Sequence, residues 1–227
     1  MPEKNFDSYA NNIYKIFKRD YPQLNIKRKA VRAMDDLISQ ILVDLKKRSL
    51  ELTHVSNKKI LKERAVKYAI QLELPSLLSR DSILAAAMAS MRHDASVSEI
   101  ELPKLYHDLA KELPDKYTGF IKADFVVGKK SANSPVKLSD RVGLSFDIAR
   151  VRRHLKLNND NDVGDPPALG VAAAMEIITM SVLHEAVKQM KTRKTLKSRD
   201  IMIGIYKNDE LCKLFKNFVI MDSGVPL

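Results

Sequence analysis

Apolar residues recur through residues 25–64 at spacings of mostly three or four, and basic residues bracket them. Ala30, Val31, Met34, Leu37, Ile38, Ile41, Leu42, Leu45, Leu52 and Val55 form the stripe, with no Pro or Gly between them. That period predicts one long amphipathic helix from Ala30 to Asn57. Lys27, Arg28 and Lys29 precede it, and Lys58, Lys59, Lys62 and Arg64 follow it. At about 1.5 Å per residue the helix is roughly 40 Å long, so it holds two positive clusters far apart. A stripe of this length needs shorter helices folded back on it and a second long helix crossing it.

Residues 166–190 supply that second helix. Pro166 and Pro167 suit a helix start, where backbone N–H groups are spare. Val171, Met175, Ile178, Val182, Ala186, Val187 and Met190 form its stripe, and Lys191, Arg193, Lys194, Lys197 and Arg199 follow. The chain therefore reads as two copies of one plan: short helix, loop, long helix, loop, short helix. The pattern repeats with little literal identity.

Shorter periodic runs complete each copy. Ile13, Ile16 and Phe17 predict a helix over 9–21, ended by Pro22. Val66, Ala69, Ile70 and Leu72 predict another over 63–73, broken at Leu74-Pro75, and an alanine-rich helix follows from Ser76 to Met91. In the second copy, 146–157 is the short helix, with Arg150, Arg153 and Lys156 on one face. Its first loop, Asn158 to Val163, is acidic. Ser198 is the expected N-cap of a helix running to Tyr206, and Asp209 to Phe215 forms a further short one. Between the copies, Leu105, Leu109 and Leu113 fall in register on a short helix, and Gly128 to Pro135 is a polar run. This joining piece is either a plain tether or a helix that packs on the surface and shields a patch.

Particular words in the chain carry a resemblance. Tyr9-Ala-Asn-Asn-Ile-Tyr-Lys-Ile-Phe-Lys-Arg-Asp-Tyr-Pro22, Lys29-Ala-Val-Arg-Ala-Met34 and the Leu74-Pro75 turn resemble core histone 2B. Arg141-Val-Gly-Leu-Ser-Phe146, Arg150-Val-Arg-Arg153 and Asn208-Asp-Glu-Leu211 resemble core histone 2A, through to Ser223-Gly-Val-Pro-Leu227. Fused pairs in this order are a feature of giant DNA viruses of the Marseillevirus type, and the chain resembles those histone doublets. The resemblance implies an all-α fold: two histone folds in one chain, crossed head to tail as an intramolecular 2A–2B-like heterodimer. Residues 1–91 would be the 2B-like fold with an extra last helix, 92–136 a connector, and 137–227 the 2A-like fold with a short docking tail.

Charge sharpens this picture. The net charge is +11. Residues 1–91 carry 17 Lys/Arg against 10 Asp/Glu, 92–136 carry 7 against 7, and 137–227 carry 15 against 11. The excess sits in the two copies, at helix ends and in loops. Basic residues on a helical protein are often only a solvated face, but this placement favours a long polyanion. The implied head-to-tail crossing would set Lys27, Arg28 and Lys29 beside Arg193, Lys194 and Lys197. It would set Lys58, Lys59, Lys62 and Arg64 beside Asp160 and Asp162. Arg150, Arg153 and Lys156 would lie between, and Arg141 and Arg199 complete the expected DNA-binding set. The end facing the two aspartates should release DNA more easily. Histones 2A and 2B also present a carboxylate cluster to chromatin factors. Glu176, Asp209 and Glu210 would be its residue here, while Ser181, His184, Asn208, Leu77 and Ala85 stand where acids would be expected. Arginine-anchored peptides should then bind poorly.

Enzyme chemistry finds no support. The histidines (His54, His93, His107, His154, His184) form no metal-ligand spacing, there is no phosphate-binding glycine loop, and Glu51 with His54 reads as a surface pair. Catalytic residues, metals and cofactors are expected to be none. Cys212 reads as a helix thiol; one cysteine cannot build a disulfide framework. No run of about 18 apolar residues lacks charge, and the start is not a signal peptide. The resemblance implies a structural protein that packs double-stranded DNA without sequence specificity in nucleosome-like particles. Its expected partners are a histone 3/4-like protein, itself a fused doublet, and a second copy of this chain, with no membrane. Residues 68–76 would meet the histone 4 portion and the tail from Val219 the histone 3 portion. The expected location is the virion and the chromatin of the infected cell. The rival readings are a sequence-specific transcription factor subunit on the same fold and a helical interaction protein that does not bind DNA.

Overall fold

The computed structural model describes residues 8–98, 102–125, 137–156, 162–216 and 218. In order these form α1 (Ala10–Asp20), β1 (Asn25–Ile26), α2 (Arg28–Val55), β2 (Ile60–Leu61), α3 (Glu63–Glu73) and α4 (Ser76–Ser98). Then come α5 (Lys104–Glu112), a 3-10 turn Asp115–Tyr117, α6 (Thr118–Ile121) and α7 (Leu138–Val142). The last group is α8 (Ile148–Lys156), β3 (Asp162–Val163), α9 (Asp165–Lys188), β4 (Thr195–Leu196), α10 (Ser198–Lys207) and α11 (Asp209–Leu214). The described part is mostly helical, and α1–β1–α2–β2–α3 recurs as α8–β3–α9–β4–α10. Each two-residue strand pairs in parallel with a strand of the other copy: β1 with β4, β2 with β3. The loop entering one long helix is thereby bonded to the loop leaving the other.

The predicted stripe of α2 is buried from Ala30 to Leu45, and then it turns. Ser49 and Thr53 continue the inner face, their hydroxyls donating to the Leu45 and Ser49 carbonyls at 2.6 and 2.8 Å. Val55, expected inward, is 79% exposed. It lies two residues past Thr53, about 200° around the helix. Leu72 fails the same way: it is two residues past buried Ile70 and 64% exposed.

α9 is the axis of the molecule. Every residue from Pro167 to Leu183 is buried, so the expected stripe is only part of a helix that is apolar all round. By length and composition it is apolar enough to cross a membrane, but it lies inside the protein. The helices α4, α10, α8, α3, α2 and α1 pack around it. Gly204 lets α10 approach: a Cβ there would stand 2.7 Å from the Ala186 backbone nitrogen. The N-cap of α10 is Lys197 rather than Ser198, which is the first helical residue. Asp200 accepts from the Lys197 N–H at 2.9 Å and so ties down the first turn.

Over its described residues the joining piece is packed rather than a plain tether. α4 runs past Met91 to Ser98 and buries Arg92 completely. On α5 the inward residue is Tyr106, while Leu105 is 54% exposed. Leu113, Tyr117 and Phe120 are all buried. The guanidinium of Arg92 donates to the Tyr106 hydroxyl (2.6 Å) and to the carbonyls of Phe120 (2.8 Å), Ile121 (3.1 Å) and Val142 (3.1 Å). One side chain on α4 thus holds α5, α6 and α7. The lead 1–7, the run Gly128–Pro135 and the tail from Val219 lie outside the described residues.

Candidate nucleic-acid interface

The strand pairs assemble two basic clusters. At the first, the Asn25 N–H donates to the Lys194 carbonyl (2.8 Å) and the Lys27 N–H to the Leu196 carbonyl (2.9 Å). Lys27, Arg28 and Lys29 therefore stand beside Lys194 and Lys197, with Arg193 and Arg199 on the flanking turns, and all seven are exposed. Arg193 is partly spent: it donates to both Asp200 oxygens, at 2.5 and 3.2 Å, and that hydrogen bond pushes its pKa up. Lys18 of α1 also belongs here. Its ammonium donates to the Leu24 carbonyl at 2.7 Å and to Asn25 Oδ1 at 3.3 Å, bracing the loop. Sequence reasoning missed it because a contact six residues away across a Pro turn has no periodic signature.

At the second cluster, the Asp162 N–H donates to the Lys59 carbonyl at 3.1 Å. This sets exposed Lys58, Lys59, Lys62 and Arg64 beside Asp162. Asp162 reaches Lys156 at 3.6 Å, and Arg152 pairs with Asp165 at 2.9 Å. Two cations at this end thus already face carboxylates. Arg64 lies along α3, donating to the Tyr68 hydroxyl at 3.2 Å with its guanidinium 5.5 Å from the ring centre. That hydrogen bond holds the Tyr68 phenol below its ordinary range. Asp160, the other expected partner at this end, lies outside the described residues.

Between the clusters, α8 buries Ile148, Val151, His154 and Leu155 and turns Arg150, Arg153 and Lys156 outward. The three do not act as one row. Arg150 is half-buried, stacks 5.6 Å from the Tyr9 ring and donates to the Ser8 carbonyl at 2.7 Å. Arg153 is exposed. Arg141 stands half-buried on α7, in neither strand pair.

The expected carboxylate cluster needs correction. Glu176 is fully buried and unavailable to a partner. Its Oε1 accepts from Arg19 at 2.6 Å and its Oε2 from the Ser145 N–H at 2.8 Å. A carboxylate this deep on a core helix must be paired, and Arg19 of α1 supplies the charge. Glu210 accepts from the Leu77 N–H at the start of α4 at 3.0 Å, and Asp209 is exposed. Of the positions expected to have lost acids, Ala85 and Ser181 are buried, His184 shares a hydrogen bond with the Tyr21 hydroxyl, and Asn208 caps α11. The expected Glu51–His54 pair is absent; Glu51 pairs instead with Arg48 at 2.8 Å. Among the described residues no group of His, Cys, Asp and Glu could hold a metal ion.

No protein-family model matches the chain. Histone H2AX of Tetrahymena thermophila is 34% identical to it over 101 residues, 43% of this chain and 73% of that protein. Histone H2AX of Tetrahymena pyriformis is 33% identical over 101 residues, again 43% and 73%. Histone macroH2A1.1 of Capsaspora owczarzaki is 35% identical over 89 residues, 38% of this chain and 24% of that protein.

Proposed function

This chain belongs to the histone 2A family, and from that premise we propose that it is a structural protein that packs double-stranded DNA. In this reading it is a doublet: a 2B-like histone fold over 1–91 and a 2A-like fold over 137–227, crossed head to tail and joined by the connector. The observation that carries the proposal is the pair of parallel strand contacts, which gather basic residues from both copies into two clusters at opposite ends of the long helices.

Two clusters with Arg150 and Arg153 between them can follow a bent duplex, touching phosphates where the minor groove faces inward. Cellular nucleosomes bind in this mode, and the geometry is carried over by analogy. Phosphate contacts position the duplex and read little sequence. The DNA-contacting set is Lys27, Arg28, Lys29, Lys58, Lys59, Lys62, Arg64, Arg141, Arg150, Arg153, Lys156, Arg193, Lys194, Lys197 and Arg199. Joining the halves raises their effective concentration and removes an association step.

The doublet assembles with a histone 3/4-like partner and a second copy of itself in an octamer-like particle. Tyr68 and Leu72, 42% and 64% exposed on α3, support a partner surface there. The order of the halves supports a doublet of the Marseillevirus type, acting in the virion and in the chromatin of the infected cell. Titrating the purified chain into mixed-sequence duplex at rising salt tests the packing reading. The affinity should fall linearly on a log–log scale, with a slope set by several phosphate contacts and no preferred site. Salt-independent binding, or one strongly preferred sequence, would overturn it.

A further inference from the structure

The outward faces of the two strand pairs differ in chemistry. Side chains alternate along a strand. With Leu196 buried and Ile26 packed on the core, the β1/β4 pair turns Asn25 and Thr195 outward. Asn25 is exposed, Thr195 is half-buried, and the two stand opposite each other in the register. The β2/β3 pair buries Leu61 and Val163 and turns Ile60 and Asp162 outward, Ile60 being 52% exposed.

The Asn25 amide has a fixed orientation. The Lys18 ammonium donates to Asn25 Oδ1 at 3.3 Å and is anchored on the Leu24 carbonyl at 2.7 Å. An ammonium only donates, so the amide oxygen must face it and the Nδ2 hydrogens point away. Thr195 adds a hydroxyl whose hydrogen rotates to suit an acceptor. Two neutral donors side by side, among exposed Lys27, Lys194 and Lys197, suit a negatively charged group that only accepts. The other pair offers no such donors. Ile60 has no polar side-chain atom, and the Asp162 carboxylate only accepts, already taking the Val163 N–H at 3.0 Å.

We infer that Asn25 and Thr195 form a neutral seat for one backbone phosphate of the duplex, that Lys18 positions Asn25 in it, and that the β2/β3 pair lacks an equivalent. This rests on the DNA-packing reading and adds contacts that the pattern of charges does not show. Amides and hydroxyls hold phosphate oxygens and fix the register of the duplex without reading its sequence. Their signature differs from that of a lysine. A neutral donor releases no condensed counterion, so it raises affinity by the same factor at every salt concentration and leaves the slope alone. One such hydrogen bond is worth about fivefold.

The test titrates the full chain into mixed-sequence duplex over a range of salt concentrations. Asn25→Ala with Thr195→Val should lower affinity about tenfold or more at every salt concentration, with the log–log slope unchanged. Lys27→Ala, by contrast, should flatten the slope by about one. Unchanged affinity in the double variant, or a loss that comes with a flatter slope, would overturn the inference. If the double variant loses its helical circular dichroism, Thr195→Val alone decides, because it keeps the side-chain shape and leaves the Lys18 contact in place. It should cost a few-fold at constant slope, and Thr195→Ser should bind as the unmodified chain does; a serine variant no better than valine would contradict the seat. Lys18→Met should cost less in the Asn25→Ala background than in the unmodified chain, and equal costs would remove Lys18 from the positioning role. Salt-dependent binding of the unmodified chain tests the packing reading by itself, so the seat can fail while that reading stands.

Discussion

The two ends of the molecule share one backbone plan and differ in how much positive charge they leave free. At the β1/β4 end, Lys27, Arg28, Lys194, Lys197 and Arg199 are exposed, and one buried aspartate, Asp200, engages Arg193. At the β2/β3 end, Asp162 stands in the strand pair itself, within reach of Lys156, and Asp165 holds Arg152. A phosphate arriving at the first end meets exposed lysines around a strand pair that itself carries no carboxylate. At the second it must displace carboxylates or accept their repulsion. Strand pairing fixes where the clusters form, and the residues around it set how strongly each holds a polyanion.

Charge removal gives the largest expected effect. Lys27→Ala, Arg28→Ala and Lys194→Ala together should flatten the salt dependence of duplex binding by about three, roughly one per phosphate contact. Lys58→Ala, Lys59→Ala and Lys62→Ala should flatten it by less than half as much; equal losses would erase the difference between the ends. Next comes Asp162→Asn, combined with Asp160→Asn, which should raise affinity several-fold and steepen the slope by about one. Unchanged binding would show that these acids do not weaken that end.

Backbone strain separates the ends more finely. Lys191 and Asn57 close the two long-helix exits, each at φ 52°. Left-handed backbone costs a lysine on the order of 1 kcal/mol, and asparagine tolerates it better. Lys191→Gly should therefore raise the denaturant midpoint by more than Asn57→Gly does, and the reverse order would contradict this. The smallest effect belongs to neither end. Ser82 Oγ is buried on α4 with no hydrogen-bond partner. Ser82→Ala should leave DNA binding unchanged and stability equal or slightly higher, as read from the melting temperature.

Periodicity made the long helices legible almost to the residue, because a stripe repeating every three or four residues over seven turns has few other solutions. It failed where helices end, at Val55 and Leu72, since a hydrophobic side chain in the last turn can face either way without breaking the count. It failed again at Leu105, where a leucine register hid the aromatic residue that is buried. The basic clusters were legible as runs, and their juxtaposition came from the family resemblance rather than from spacing. What no local pattern could show was pairing beyond helical spacing: Glu176 with Arg19, Arg193 with Asp200 seven residues on, and Arg92 with the carbonyls of Phe120, Ile121 and Val142. The resemblance pointed Glu176 outward, whereas it lies in the stretch Pro167–Leu183 that α9 buries on every face, where Arg19 matches its charge.

The most direct measurement of the central claim is nuclease protection. The purified chain, a histone 3/4-like partner and random-sequence DNA are mixed, digested, and the protected fragments sized. A wrapper with one strong and one weak end predicts a discrete fragment near or somewhat below the roughly 146 base pairs of a cellular particle. It should lengthen when Asp160 and Asp162 are changed to Asn. A smear, or a short footprint confined to certain sequences, would contradict packing by this fold.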